Sequence, residues 1–381
     1  MKLHEYQAKS ILKKAGIPLP ISHLAGNAGQ VKRISNEIGY PVVLKAQTLE
    51  AGRGHAGGVR IVHNESEIET VSNEIFKLVL NQQPIQFILV EKAFTFYKEY
   101  YLGIISDLDE GTPVLRISEA GGATFLEADS FKDALTVDKV IDINRGLNDY
   151  QIRESLVDMG IAPTYWKQFQ VIARKLYEVY RQNDASLVEI NSLVLTELDQ
   201  LYALDVKISI DTQSLYRQEA FFDALDPSYF GWEEREAMKY DLDYHSLPGE
   251  IGCMVNGMGL AYLTMEQLLT INAMPAAMID IRGGATSSSI SSAFEMLLAN
   301  QNVKVIIINI FGGMTQSDET SQGILQALDK SSIKKPVFIR LEGTDGSIGL
   351  DLLHKNEKLS FFGNTEALVN AAISWLRGDE Q

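Results

Sequence analysis

From Ile251 onward the apolar residues come in short unbroken runs separated by segments of helical period. The runs are Ile251–Val255, Ala277–Ile281, Val305–Phe311, Val337–Leu341 and Leu359–Phe362, and the helical segments fall near 259–271, 286–300, 318–330, 347–355 and 365–377. A strand without polar alternation has no solvent face, and strands that alternate with helices are joined by crossovers. The pattern predicts an α/β half, a flavodoxin-like parallel sheet with helices on both faces.

The first half is less regular. Residues 4–15 predict an amphipathic helix with Leu3, Tyr6, Ile11, Leu12 and Ala15 on one side, stopped by Gly16, with Pro18 and Pro20 keeping the chain extended. Strands are predicted at Phe87–Val90, Glu99–Ile105, Val114–Ile117, Ser186–Ile190 and Leu201–Leu204, with a long helix over 164–182. Elements that mix without strict alternation predict α+β subdomains. Between 207 and 250 the chain turns charged and aromatic, with Pro227 and Pro248 as punctuation, and reads as an irregular connection. The expected domains are 1–235, with a flap subdomain at about 20–100, and 246–381.

Composition narrows the function classes. A net charge of −16 argues against nucleic acid or an anionic membrane surface as partner. The single cysteine, Cys253, excludes an intrachain disulfide and a cysteine-rich metal site and suits a reducing compartment. The N-terminal residues lack the apolar core of a signal peptide, and no apolar run approaches membrane length, so a soluble, cytoplasmic protein is expected.

The segment from Pro41 to Val62 carries the clearest chemistry. An apolar strand containing one lysine, Lys45, leads into a loop with Gly52, Arg53, Gly54, Gly57 and Gly58, and a β-branched strand Val59–Val62 follows. Glycines let backbone N–H groups approach phosphate oxygens, and a lysine inside an apolar strand needs a partner. The spacing Gly52-x-Gly54-x-x-Gly57 invites a dinucleotide-fold reading, but that fold requires a helix after the glycines, and a strand follows here. A hairpin flap over a nucleotide fits better; a flexible surface hairpin is the alternative.

Other candidates cluster by type. Glu91 ends an apolar strand where a hinge against an adenine would fit, and Glu99 opens the next strand. Glu189 and Asn191, two apart on one strand, share a face; if the following run ending in Asp205 pairs with it, Asn191 and Asp205 would together hold a magnesium ion. In the second half the turns Asn256–Gly259, Arg282–Thr286 and Phe311–Thr315 lie after consecutive strands, where helix N-termini would form an anion platform. Glycine for tight turn geometry is the alternative at each. The six histidines show no metal-ligand spacing, and neither a nucleophile elbow nor a Walker lysine is present. A nucleotide grip and an anion platform without an acceptor nucleophile point to a partner subunit.

Six segments carry a resemblance: Leu3–Lys9, Gly52–Gly58, Glu189–Asn191, Ile251–Gly257, Asn309–Gly313 and Arg340–Gly343. In order and nearly end to end, they resemble the β subunits of succinyl-CoA synthetases (succinate–CoA ligases, ADP-forming). The resemblance implies an N-terminal ATP-grasp fold and a C-terminal flavodoxin-like domain that meets an α subunit. It implies ATP with Mg²⁺ as cofactors, transfer of phosphate to a histidine on α, and a small carboxylic acid substrate, with CoA bound on α. By motif, Lys45, Gly52, Arg53, Gly54, Glu91, Phe94 and Glu99 would bind nucleotide, Asn191 and Asp205 the metal, and Asn256, Gly313, Met314 and Thr315 the acid. Glu189 would steady the histidine of α, and Pro20 resembles the ATP-using branch.

The departures fall mostly at the acid end. His55 stands where the family has lysine, Ser192 where it has proline, Val206 and Arg282 where it has glycine, and Met314-Thr315-Gln316 where it has two aliphatics and an arginine. The run Ser118–Gly122 also differs from the usual Thr-Glu-Gly-Gly. Arg282 is expected to change the floor of the acid or phosphohistidine site. A paralogue acting on another small dicarboxylate, or a nucleotide-binding partner without turnover, are the alternatives to succinate ligation.

Overall fold

A computed structural model describes all residues except 50–51, 81–82, 108–110, 120, 122–134, 222–230, 313, 332–334, 344–345, 357–358 and 379–381. Of the positions singled out above, Ala120, Gly122, Pro227 and Gly313 lie outside the described residues. The chain divides into two compact units, Met1–Tyr229 and Phe230–Gln381.

The first unit holds two sheets. The smaller runs β1 (Ser22–Ala25), β6 (Ile88–Lys92), β2 (Val42–Ala46) and β3 (Val59–Val62), all neighbours antiparallel. Helices α2 (Ala28–Ile38) and α3 (Glu65–Phe76) cover it through Val31, Ile34, Ile68 and Ile75. Asn27 and Asn64 cap these helices, each side chain accepting a backbone N–H of the first turn. A two-residue ladder, β4 (Val79–Leu80) with β5 (Gln83–Pro84), lies beside them in sequence. The β2–β3 hairpin opposes Lys45 to Val59, so the glycine loop closes directly above the lysine.

The larger sheet runs β11 (Leu201–Ala203), β10 (Ala185–Thr196), β7 (Phe96–Asp107), β8 (Thr112–Ser118) and β9 (Thr136–Val140), and β12 (Val206–Ile210) also pairs with β10. Helices α1 (Glu5–Lys14), α4 (Asp149–Asp158) and α5 (Trp166–Gln182) complete its core around Leu12, Phe169, Leu176, Leu102 and Ile190. Helix α1 corrects the expected apolar side. Its buried residues are Glu5, Ala8, Lys9 and Leu12, while Tyr6, Ile11 and Ala15 are half-buried. The inward stripe keeps the helical spacing but carries a charge pair.

The second unit is a sheet of order β13 (Asp243–Ser246), β15 (Pro275–Asp280), β14 (Ile251–Val255), β16 (Val305–Phe311), β17 (Val337–Glu342) and β18 (Leu359–Phe361). The last five run parallel in the order of flavodoxin-like sheets. Helices α8 (Ser287–Ala299), α9 (Ser317–Lys330) and α10 (Gly346–Leu353) cover one face; α7 (Met258–Thr270) and α11 (Thr365–Arg377) cover the other. Cys253 is buried in the central strand. The segment read as an irregular connection contains β12, α6 (Trp232–Lys239) and β13, which pairs antiparallel with β15. An edge strand has one open side and tolerates the polar sequence Asp-Tyr-His-Ser that hid it. Among the described residues, no helix is long and apolar enough to cross a membrane.

Candidate functional site

In the first unit, six charged side chains meet beneath the glycine loop. Lys45 Nζ lies 3.2 Å from Glu5 Oε1, 3.0 Å from Glu91 Oε1 and 2.8 Å from Asp205 Oδ1, and it donates to the Leu204 carbonyl at 2.8 Å. Arg53 bridges Glu5 Oε2 and Asp205 Oδ1, the latter at 3.1 Å, and donates to the Ala46 carbonyl at 3.0 Å. Lys9 lies 2.9 Å from Glu5 Oε1 and pairs with Glu91. Three cations thus face three carboxylates, which is what permits so much buried charge.

The electrostatics follow from that packing. Burial pushes the Glu5 carboxyl up, but Arg53, Lys45 and Lys9 overcome it and hold the group well below the usual carboxylate range. Burial would lower the Lys45 ammonium and the Arg53 guanidinium; the facing carboxylates, Asp205 and Glu5 foremost, hold both above their ordinary values. Asp205 differs from the rest: its side chain is 42% exposed, against 3% for Glu5 and 2% for Glu91.

A cavity of about 530 Å³ opens on this cluster, lined by Gly52, Arg53, Gly54 and His55 of the loop and by Glu189, Asn191 and Asp205 opposite. The Asn191 N–H donates to the Asp205 carbonyl at 2.8 Å, which sets Asp205, in the bend between β11 and β12, beside Asn191 of β10. Glu189 accepts from Tyr101 Oη and Lys207 Nζ, both at 2.8 Å, and burial together with the carboxylate pushes the Tyr101 phenol well up. Among the described residues no group of three or more His, Cys, Asp or Glu could hold a metal unaided. Asn191 and Asp205 do offer hard oxygen donors on a cavity wall, a set that suits magnesium completed by phosphate and water.

The remaining nucleotide candidates lie farther along the same sheets. Glu91 turns its carboxylate into the ion cluster, where it braces Lys9 and Lys45, and its backbone is paired with β1 and β2. Phe94 follows β6 and stacks on Tyr202, ring centroids 4.6 Å apart. Glu99 accepts from Ser192 Oγ at 2.7 Å, the hydroxyl that replaces the family's proline.

In the second unit, Asn256 staples two strand-to-helix turns. Its Nδ2 donates to the Phe311 carbonyl and to Thr315 Oγ1, both at 3.0 Å, and its Oδ1 accepts the Phe311 N–H at 2.9 Å. Thr315 is fully buried by this bond, whereas Met314 is 78% exposed. The turns place Gly257 at φ +112° and Gly312 at φ +106°, which side-chain-bearing residues rarely adopt. Of the three expected anion-binding termini, that of α8 is closed by its own chain. Thr286 accepts the Ser289 N–H, and Glu319 accepts the Ser287 N–H at 2.7 Å. Helices α7 and α9 carry no side-chain cap.

Arg282 sits at φ +62°, and its guanidinium forms a two-pronged pair with Asp243 at 2.9 and 3.0 Å and reaches Asp241 at 2.5 Å. The cation is held by the antiparallel edge strand and the turn before it. The bond to Asp243, opposed by partial burial, raises its guanidinium further.

Comparisons with known proteins give the family and the order of its domains. A family model for the ATP-grasp domain matches residues 2–195, and one for CoA-ligase matches residues 254–360. The chain is 40% identical over 363 residues to the succinate–CoA ligase [ADP-forming] subunit β of Aquifex aeolicus, covering 93% of this chain and 94% of the relative. The chain belongs to the succinate–CoA ligase [ADP-forming] β-subunit family. A second member, from Hydrogenobaculum sp., is 38% identical over 368 residues, 95% of either chain. The fold also matches ATP citrate lyase from Methanothrix soehngenii, solved with citrate and coenzyme A, at a TM-score of 0.69, 17% identity and coverage of 98% and 99%. Family membership makes the chain an ADP-forming CoA ligase β subunit with the ATP-grasp fold first and the CoA-ligase domain after it.

Sequence reading missed four side chains that this geometry makes central: Glu5, Lys9, Tyr101 and Asp280. The first two were legible only as charges at i and i+4 on the buried stripe of α1. Asp280, buried at the end of β15, accepts the N–H groups of Gly257 and Arg282 at 2.6 and 2.7 Å and so ties two turns together.

Proposed function

We propose that the chain binds Mg·ATP under the glycine loop and, with an α subunit, ligates a small carboxylic acid to CoA. The observation that carries this reading is the meeting of Arg53 and the exposed carboxylate of Asp205 on the cavity wall beside Asn191, with Lys45 buried behind them, 2.8 Å from Asp205. Phosphoryl transfer asks a protein mainly for charge neutralisation and in-line placement. Lys45 and Arg53 supply fixed positive charge, Gly52 and Gly54 let backbone amides approach, and Phe94 and Glu99 take the base and ribose end. Asn191 and Asp205 would hold Mg²⁺, which would neutralise phosphate oxygens. Glu189, oriented by Tyr101 and Lys207, would receive the imidazole of α.

The reaction then balances as follows. A histidine nitrogen of α attacks the γ-phosphorus, the bond to the β–γ bridging oxygen breaks, and ADP leaves. In the second unit the acid's carboxylate attacks the phosphohistidine, giving an acyl phosphate and free imidazole. The CoA thiolate displaces phosphate to form the thioester. The first turns of α7 and α9, which their own N-cap residues leave uncapped, would offer backbone N–H groups beside the turn held by Asn256 to the acid and the travelling phosphoryl group. Succinate is the first acid to test; the exposed Met314 and neutral Gln316 favour another small dicarboxylate as the second.

The test mixes the chain with its α subunit, Mg²⁺ and ATP labelled in the γ-phosphate. Label on a histidine of α, discharged by acid plus CoA, is expected. Bound ATP without label on α would replace this reading with a nucleotide-binding partner that does not turn over.

A further inference from the structure

We propose that Glu5 is a positioning residue for phosphate binding, acting as a resident anion that holds Arg53 on the cavity wall before nucleotide arrives. The inference rests on the Mg·ATP reading of this cavity and deepens it.

Glu5 and Asp205 share the same two cations, yet they are not equivalent. Glu5 opens α1, where an acid suits the positive end of the helix, and α1 is fixed to the large sheet, with the Leu3 N–H donating to the Ile208 carbonyl at 3.0 Å. Its side chain is 3% exposed, and its two oxygens are divided, Oε1 to Lys9 and Lys45, Oε2 to Arg53. Asp205 faces the cavity and uses one oxygen, Oδ1, for both Lys45 and Arg53. A phosphate entering from the cavity meets Asp205 first.

Binding then requires an exchange of partners. Asp205 leaves the two cations for the metal, and phosphate oxygens take its place beside them. Glu5 also borders the cavity but is only 3% exposed and divides its oxygens among three cations, so it stays where it is. Arg53 also links the glycine loop to this cluster: it grips Glu5 through its guanidinium, while its carbonyl accepts the Gly58 N–H at 2.8 Å. Holding Arg53 therefore holds the loop. With Glu5 neutral, Arg53 has one carboxylate left, Asp205, which the metal needs. The loop then follows Asp205, and nucleotide binding has to break that pair.

A double-mutant cycle tests this on the full chain, with Mg·ATP affinity read by calorimetry. Glu5→Gln is expected to weaken Mg·ATP binding about tenfold, and to change it less than twofold in an Arg53→Met background, because Glu5 acts through Arg53. Equal factors in both backgrounds, or an unchanged affinity in Glu5→Gln alone, overturn the proposal. If Glu5→Gln does not fold, Glu5→Gln with Lys9→Met keeps cations and anions equal in number and is measured in the same cycle with the same expectation. A wild-type chain that does not bind Mg·ATP would remove the parent reading instead.

Discussion

Replacing Lys45 by methionine separates two roles that the cluster gives one residue. The ammonium meets Glu5, Glu91 and Asp205 within 3.2 Å, so its loss leaves Lys9 and Arg53 facing three carboxylates. Removing one partner from a buried ion pair costs about 3–5 kcal/mol, because the other charge stays buried. For a unit of this size each kcal/mol moves the melting temperature by about 2–4 °C, so a fall of roughly 6–20 °C is expected. The lost phosphate contact is a separate quantity. A hydrogen bond to a charged group contributes about 1.5–3 kcal/mol, or roughly 10–150-fold in Kd for Mg·ATP. Adding Glu91→Gln restores the balance to two cations and two anions, so the double variant should recover most of the melting temperature and none of the affinity. Thermal unfolding and calorimetry on both variants decide it. If Glu91→Gln restores Mg·ATP binding along with stability, Lys45 serves the cluster alone and does not touch phosphate.

Four further outcomes follow from the same geometry. Asp205→Asn should leave the fold intact but weaken Mn²⁺ binding in the presence of ADP by about tenfold, a loss of ~1.4 kcal/mol, read by paramagnetic resonance; unchanged Mn²⁺ affinity would remove the metal assignment. Asn256→Ala should spare phosphorylation of the α histidine and cut acyl transfer by about ten- to a hundredfold, because three hydrogen bonds that set the Phe311 turn are lost; intact acyl transfer would count against the acid site. Arg282→Gly relieves a left-handed backbone costing about 1–2 kcal/mol while giving up a half-exposed ion pair of about 0.2–1 kcal/mol, so stability should change by less than about 2 kcal/mol and KM for the acid should not move; a large rise in KM would put the guanidinium back in the site. Because the Glu5 carboxyl is held below its unfolded value of about 4.3, the stability it contributes is complete above that pH and disappears as pH falls through the folded-state value. Acid titration by circular dichroism should therefore show a shallower loss in the Glu5→Gln, Lys9→Met variant, and identical acid limbs would contradict this linkage.

How much of this was legible in the sequence depends on where each residue's partners lie. The parallel half was readable because its strands are buried on both faces and announce themselves as unbroken apolar runs. Strand β13 was not, since an edge strand carries no such run and its pairing with β15 is a tertiary event. Lys45 was readable as a charge that an apolar strand cannot hold alone. Its partners were not: Glu5 and Asp205 stand 40 and 160 residues away, and no local spacing connects them. Reading α1 by hydrophobicity put Leu3, Tyr6, Ile11, Leu12 and Ala15 on one side and gave Glu5 and Lys9 no place, whereas charge pairing buries both beside Leu12.

The cluster explains how a phosphate site survives without phosphate. Lys9, Lys45 and Arg53 would repel one another in a dry interior, and Asp205 is the most exposed member of the group. Two fixed carboxylates, Glu5 and Glu91, neutralise two of the three charges permanently, which leaves one unit for an anion that can be exchanged. In the nucleotide-free chain that anion is Asp205, whose release would make it available to a metal. A site built this way couples metal and nucleotide without any moving domain, because one carboxylate cannot serve both partners at once. The coupling has a sign: Arg53→Met should raise the chain's affinity for Mn²⁺ without nucleotide, by removing one of the two cations that hold Asp205, while lowering its affinity for Mg·ATP. Two affinities that fell together would show that Asp205 is not shared.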